Sequence, residues 1–149
     1  RIFKGPPGGG AWNNLWANNL RITSSCITNA TEGTDNASAN AYTNVVTGTT
    51  TNNWQDTQNG SITGNAFGPW ALSTSYSGTG FVGYEIGDST TLDGGSGGVN
   101  INTSGKSFKL YATAETNNYV EAIRGFNSGN LQPGQTFSVD IAVNVISNG

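Results

Sequence analysis

Apolar and polar residues alternate without interruption from Phe137 to Val145, close to the end of this 149-residue chain. A period of two places successive side chains on opposite faces of a β-strand. The segment "SFKLYATA", Ser107 to Ala114, alternates in the same way. Segments of this kind are typical of half-buried antiparallel strands, with one face on a core and the other in water.

Short segments with the same period recur along the chain and are separated by clusters of Gly, Asn, Ser and Pro. The strand-like segments include "RITSSCIT", "YTNVVT", "PWALSTSY", "GFVGYEIG" and "NYVEAIRGF". The clusters between them predict turns, because Gly adopts positive φ and Asn or Asp bonds to its own backbone. About seven short strands without alternating helices predict an all-β fold, an antiparallel β-sandwich of jelly-roll or immunoglobulin-like type.

The domain organisation follows from length and from the first residues. Residues 11–149 have the length of one domain and are predicted to form a single β-sandwich, which a neighbouring chain could complete. Residues 1–10, "RIFKGPPGGG", are predicted to form an extended N-terminal arm. Apolar residues from Trp12 to Ile22 lie near a spacing of 3.6, so one short helix is an interpretation there, although the Asn residues between them disfavour a helix interior.

Aromatic residues are spread along the strand-like segments, one or two to each. This distribution predicts that they fill the core between two sheets. The set is Trp54, Trp70, Phe81, Tyr84, Phe108, Tyr111, Tyr119, Phe126 and Phe137.

The charge pattern excludes several classes of partner. Charged residues make up 10% of the chain, against about 25% in ordinary soluble domains. The six Lys and Arg residues are scattered, so no basic patch for nucleic acid is predicted. No apolar segment is long enough to span a membrane. A net charge of −3 gives little repulsion between copies, so close packing against other copies or a neutral polysaccharide is expected.

Catalytic chemistry has little support in the composition. The chain has no His, so Ser-His-Asp and Cys-His systems and imidazole metal sites are absent. Glycoside hydrolysis needs only two carboxylates, for which the candidates are Glu85, Glu115, Glu121 and Asp140. Carboxylates on strands are usually solvated outward positions, so the chain is predicted not to be an enzyme.

One glycine-rich segment contains the only metal candidates. Asp88 and Asp93, with the hydroxyl and carbonyl oxygens between them, could supply oxygen ligands to Ca²⁺. Their spacing is not that of an EF-hand, and a solvated loop is the default reading. No other cofactor is predicted.

The first residue and the single cysteine bear on location. Arg1 is interpreted as the start of a mature chain after removal of a signal peptide, which predicts an extracellular or cell-surface protein. Cys26 has no partner for an intrachain disulfide, so it is either buried and inert or a thiol that links two subunits.

Four segments carry a resemblance to known proteins: "FGPWALS", "GFVGYEIGDS", "NTSGKSFKLYA" and "GNLQPGQTFSVDIAVN". They resemble a glycine- and asparagine-rich β-domain of secreted bacterial cell-surface or polysaccharide-associated proteins, over residues 35–149. The resemblance implies a β-sandwich and carries over no catalytic residue. It also implies further strands after the equivalent of "FSVDIAVNV", whereas this sequence ends at Gly149.

The last strand-like segment therefore suggests a function in assembly. It carries one charge, Asp140, and no proline, so its edge is poorly protected against a strand from another molecule. We expect β-strand complementation between copies, with the arm as donor, giving a secreted structural subunit of an extracellular filament or surface layer. The residues assigned to assembly are Ile2, Phe3, Pro6, Pro7, Phe137, Val139, Ile141, Val143 and Val145.

The alternative is a non-catalytic carbohydrate-binding module of a larger secreted protein. Such modules present aromatic rings flat against sugars. Trp12, Trp16 and Trp54 stand in Asn-rich stretches predicted to be exposed, and Tyr119 is a fourth candidate for stacking.

Overall fold

A computed structural model of the chain describes most of its residues. The described ranges are 2–4, 13–25, 32–46, 49–52, 54–64, 66–76, 81–92, 95–96, 98–113 and 117–143. The fold is all-β, with antiparallel sheets packed against each other as a sandwich, so the predicted fold class is confirmed.

The described residues form thirteen strands and one short 3-10 turn, Asn40–Tyr42. The strands are β1 (Ile2–Lys4), β2 (Asn13–Ser24), β3 (Gly33–Asp35), β4 (Thr43–Val46), β5 (Thr49–Asn52), β6 (Thr63–Gly64), β7 (Phe67–Ser75), β8 (Val82–Gly87), β9 (Thr91–Leu92), β10 (Gly95–Ser96), β11 (Ser107–Ala112), β12 (Tyr119–Phe126) and β13 (Gln135–Val143).

Two sheets form the layers of the sandwich, and all of their pairings are antiparallel. The smaller sheet has the order β1-β12-β7. The larger sheet has the order β6-β3-β2-β11-β8, and β13 also pairs with β2. Two small hairpins, β4-β5 and β9-β10, complete the described strands. Because β2 is long, its first half pairs with β11 and its second half with β3, while β13 follows it along the other edge.

The core lies between the facing sides of the two sheets. Its centre is aromatic: the ring centroid of Trp54 lies 4.7 Å from Phe108 and 5.0 Å from Trp70. Alternate residues of β12 and β11 fill the space around these rings, as the period of two predicts. Four of the nine predicted core aromatics are not part of this core. Phe81 is 62% exposed and Phe137 is 38% exposed. Tyr111 and Tyr119 are half-buried and alternate with the core-facing residues of β11 and β12.

The interpretation of Trp12 to Ile22 as a short helix is wrong for its described part, which lies in strand β2. Its period departs from two because both faces of the strand are covered. Ala17 is opposite Phe108 on the core side, while Trp16, opposite Lys109, is 2% exposed on the other face. A bulge at Asn19, with φ of 51°, then shifts the alternation by one residue.

Asn18 joins three segments where β3 and β11 meet beside β2. Its side chain is fully buried and donates to the carbonyl oxygens of Ile101 at 2.8 Å and Lys106 at 3.0 Å. Its Oδ1 accepts a hydrogen bond from the Ala37 backbone N–H at 3.0 Å. Asn18 in this Asn-rich strand therefore serves buried hydrogen bonding rather than an exposed surface.

Candidate functional site

Strand β13 is paired along only one edge within the described part of the chain. It pairs with β2 over its whole length, so the segment near the end of the sequence does have a partner. No described strand pairs with its other edge. Phe137, Ile141 and Val143 on this strand are 38%, 55% and 46% exposed. A sheet edge with exposed apolar side chains is a template for a further strand.

An apolar cavity of about 130 Å³ lies beside β13, between the two sheets. The ring of Phe137 lies 5.7 Å from Phe126 and 6.3 Å from Phe67, centroid to centroid. Since an apolar cavity of roughly 150 Å³ holds a benzene molecule, this one can receive one large apolar side chain. Its lining is Leu20, Phe67, Trp70, Ala122, Arg124, Phe126, Phe137, Val139 and Ile141.

Strand β12 contributes to the same cavity from the opposite sheet. β1 pairs with residues 120–122 of β12 only, and no described strand pairs with residues 123–126 on that side. Arg124 and Phe126 from this segment line the cavity. In the described structure, each sheet therefore has an edge segment without a strand partner. Residues of both segments line the same apolar cavity.

Arg124 is a buried cation at the side of this cavity. Its side chain is 4% exposed, and its Nη1 donates to Oδ2 of Asp35, which is fully buried. Its Nε donates to the Gly68 carbonyl oxygen at 2.7 Å. The guanidinium carbon lies 4.9 Å from the centroid of the Phe67 ring and 5.0 Å from that of Trp70, so two aromatic faces also stabilise the charge.

Tyr42 extends this ion pair into a buried hydrogen-bond network. Its hydroxyl donates to Asp35 Oδ2 at 2.6 Å. The hydroxyl oxygen of Tyr42 also accepts hydrogen bonds, from Trp70 Nε1 at 2.8 Å and from the Gly60 backbone N–H at 3.1 Å. Gly60 allows this approach because a Cβ there would lie 2.2 Å from the Tyr42 ring. The other oxygen of Asp35, Oδ1, has no hydrogen-bond partner among the described residues.

Burial dominates the proton affinity of this network. It raises the pKa of Asp35 above its usual value, although the Arg124 charge and the hydrogen bond from Tyr42 act in the opposite direction. Burial also raises the pKa of Tyr42, with the negative charge of Asp35 adding to the effect. Tyr42 is therefore a hydroxyl donor at neutral pH, and its proton is directed at Asp35.

The loop between β5 and β6 completes the surroundings of Arg124. Asn59 Oδ1 accepts from Arg124 Nη2 and from Ser61 Oγ at 3.0 Å, while Asn59 Nδ2 donates to the Phe67 carbonyl oxygen at 3.0 Å. The amide of Asn59 is thus held at both ends, which fixes its orientation.

The described tryptophans proposed to stack on sugars are buried: Trp54 in the core and Trp16 on the outer face of β2. The predicted exposure is wrong for Trp16 and Trp54, which are 2% and 1% exposed. Trp54 packs on the aromatic core, and Trp16 is covered by Lys109, whose Nζ lies 5.1 Å from the centroid of its ring. Tyr119 is half-buried at the start of β12, and Trp12 lies outside the described residues.

Asp88, one of the two Ca²⁺ candidates, caps a local turn. Its Oδ1 accepts from Thr90 N–H at 2.8 Å, from Thr90 Oγ1 at 2.6 Å and from Asn102 Nδ2 at 2.6 Å. These bonds lower the pKa of Asp88. Asp93 lies outside the described residues, and within them no cluster of three acidic, His or Cys groups is placed to hold a metal.

Replacing Asp88 with Asn is expected to flatten the acid limb of the stability curve. A carboxyl whose folded-state pKa is lowered stabilises the fold above its unfolded value of about 3.9 and loses that contribution as the pH falls through the folded pKa. The Asp88→Asn variant cannot titrate there. Urea unfolding midpoints at a series of acidic pH values test this, and equal slopes for both proteins would contradict it.

The described part of the predicted arm, residues 2–4, forms strand β1, which pairs with β12 of the same chain. Ile2 and Phe3 lie in β1, where they are opposite Ala122 and Glu121 of β12. Four more assembly candidates, Phe137, Val139, Ile141 and Val143, lie in β13. The remaining candidates lie outside the described residues: Pro6, Pro7 and Val145 for assembly and Cys26 for the thiol.

The three described candidates for catalytic carboxylates lie on separate strands. Glu85 on β8 forms an ion pair with Lys109 at 2.9 Å, and Asp140 on β13 accepts from Asn19 Nδ2 at 2.8 Å. Glu121 lies on β12, and Glu115 lies outside the described residues.

The buried network of Asp35, Tyr42 and Arg124 was not predicted from the sequence. A signal for Arg124 does exist, because it occupies the same face of the alternating segment as Val120 and Ala122, which point to the core. A charge at a core-facing position implies a buried partner. For Asp35 no such signal exists, since a three-residue strand has no readable period.

Comparison with protein-family models, curated proteins and solved structures finds no match for this chain. Within the described part of the chain, no helix has the length and apolar character required to cross a bilayer.

Proposed function

We propose that this chain is a secreted structural subunit that assembles with copies of itself by β-strand addition at β13. The observation that carries the proposal is the free edge of β13 in the described structure, with three exposed apolar side chains, beside an apolar cavity. Backbone hydrogen bonds along such an edge give affinity, and a pocket for one side chain gives register and specificity.

The proposed donor is β1 of another copy. In its own chain β1 is held by three residue pairs at the edge of the smaller sheet, so its release leaves the rest of that sheet in place. Ile2 and Phe3 supply the apolar side chains, and the cavity has room for one ring of the size of Phe3. Exchange of an edge element between identical chains is a low-cost route to association.

Donation from one copy to the next produces an open chain of subunits. The donor surface and the acceptor surface are different, so the contact is heterologous and extends into a filament unless the rotation closes a ring. The net charge of −3 opposes this only weakly.

The acceptor edge is tested by the substitution Ile141→Lys. A charge at this 55% exposed position is expected to block strand addition, because charged edge residues prevent pairing between sheets. Light scattering and negative-stain imaging should show multi-subunit particles for the wild type and a folded monomer for the variant. The matched control is Val99→Lys, at a 65% exposed apolar position outside the strands, which should assemble as the wild type does.

The donor is tested separately by Phe3→Ala, with Phe81→Ala as the control at a 62% exposed phenylalanine outside the cavity lining. Assembly should be weakened only by the change at Phe3. A wild-type protein that stays monomeric at all concentrations would contradict strand addition. Normal assembly of Phe3→Ala would contradict β1 as the donor.

A further inference from the structure

Asn59 and Gly60 form an Asn-Gly pair in the loop before β6, next to the buried ion pair. In this dipeptide the backbone nitrogen of the glycine can attack the side-chain amide carbon of the asparagine, closing a five-membered ring. Glycine favours this because it has no Cβ to hinder the approach. A second Asn-Gly pair, Asn148 and Gly149, lies at the end of the sequence and serves as an internal reference.

The attacking nitrogen already points at a proton acceptor. The N–H of Gly60 donates to the Tyr42 hydroxyl oxygen at 3.1 Å, and that hydroxyl donates to Asp35 Oδ2 at 2.6 Å. Trp70 Nε1 occupies the remaining side of the hydroxyl oxygen at 2.8 Å, so the hydroxyl proton is directed to Asp35. Burial raises the pKa of Asp35, which makes its carboxylate a stronger base.

The amide that would be attacked is polarised by a cation. Asn59 Oδ1 accepts from Arg124 Nη2, from Ser61 Oγ at 3.0 Å and from the Ser61 N–H at 3.3 Å. These donors are aimed at the oxygen on which negative charge develops when the amide carbon becomes tetrahedral.

We propose that the Asn59–Gly60 pair is a self-modification site at which the fold converts Asn59 to aspartate or isoaspartate. The Gly60 nitrogen bonds to the Asn59 amide carbon as its proton passes to Tyr42 and the Tyr42 proton passes to Asp35. The bond from this carbon to Nδ2 then breaks, and Nδ2 leaves as ammonia after taking a proton back through the same groups. The product is a succinimide, and water opens it at either carbonyl.

The surroundings allow ammonia to leave and water to enter. Asn59 is exposed, and it lines an open depression of about 430 Å³ with Gly60 and Ser61. The modification places a carboxylate at position 59, where the guanidinium of Arg124 already donates. The reaction therefore gives Arg124 a second anionic partner or, through isoaspartate, lengthens the loop backbone by one atom.

The test compares conversion at Asn59 in the native full-length chain and in the same chain unfolded in guanidinium chloride at the same pH and temperature. Both conversion rates are measured by peptide mass spectrometry after incubation in water enriched in oxygen-18. Conversion at Asn148 in the same samples serves as the reference rate. General acid–base assistance predicts conversion at Asn59 that is at least about tenfold faster in the native chain. A native rate equal to or below the unfolded rate would overturn the proposal, because the hydrogen bonds of Asn59 would then only protect it.

The roles of the groups are tested by Tyr42→Phe, which removes the oxygen that accepts the Gly60 proton. The control is Tyr84→Phe, which removes the hydroxyl of another core tyrosine. The native rate at Asn59 should fall toward the unfolded rate only in the first variant. A folded Tyr42→Phe protein that converts at the wild-type rate would overturn the assigned proton path.

Discussion

Replacing Arg124 with methionine is expected to lower the free energy of unfolding by about 3–5 kcal/mol, since removal of one partner leaves the other charge buried and unpaired. The effect should be large for Asp35 because its side chain is fully buried and water cannot replace the lost guanidinium. Its Oδ1 already has no hydrogen-bond partner among the described residues. Urea unfolding at neutral pH measures the loss.

Comparison with a more exposed ion pair separates the effect of burial on stability from the effect of ion pairing alone. Lys109→Met removes an ion pair with Glu85, whose side chain is 49% exposed, and should cost at most about 1 kcal/mol. If the Arg124 variant is too unstable to purify, the double variant Asp35→Leu/Arg124→Met should recover much of the loss, because both buried charges are then absent. Equal costs at Arg124 and Lys109 would contradict the buried-pair interpretation.

Replacing Trp54 with alanine is expected to cost about 3–5 kcal/mol of stability, as large core truncations do. The ring is 1% exposed and packs on Phe108, Trp70 and Tyr84 with centroid distances of 4.7, 5.0 and 5.9 Å. The cavity left at the centre of these contacts cannot be filled without moving both sheets. Thermal and urea unfolding of Trp54→Ala measure the effect.

Two further variants define the role of Trp54. Trp54→Phe should be milder, because it keeps a ring and removes an indole N–H that has no partner in the described structure. Tyr76→Ala, at a 64% exposed aromatic, should change stability by less than about 0.5 kcal/mol. If Trp54 acted as a sugar platform instead, Trp54→Ala would retain full stability and lose polysaccharide binding.

Arg124 links the two sites that we propose. It lines the cavity beside β13, and it donates to both Asp35 and Asn59. A carboxylate formed at position 59 would therefore compete with Asp35 for the guanidinium of Arg124, which lines the cavity beside β13. The assembly experiment and the conversion experiment can be combined, by measuring the particle size of protein before and after conversion at Asn59.

Local alternation was enough to identify most of the longer strands. β11 and β12 lie within the predicted segments, and the terminal segment forms β13, because the period of two depends only on neighbouring residues. The prediction failed in β2, where Trp16 is covered on the outer face and the bulge at Asn19 interrupts the period. Burial of both faces removes the signal that amphipathic patterns provide.

The candidate site was only partly predictable. The sequence singled out Phe137, Val139 and Ile141, which the structure places around one cavity. It could not indicate that Asp35 meets Arg124, since these residues are 89 positions apart and belong to different sheets. Contacts of this range depend on how the sheets stack, and no local pattern records that arrangement.

Alternation and turn residues act over a few positions, so the amino-acid sequence alone is enough to predict an all-β chain. Which aromatic residues are buried, and which strand edge has no described partner, depends on how the two sheets pack. Trp54 lies outside the strands, and its burial depends on packing between two sheets. In the same way, pairing with β2 occupies one edge of β13, and no described strand pairs with the other edge.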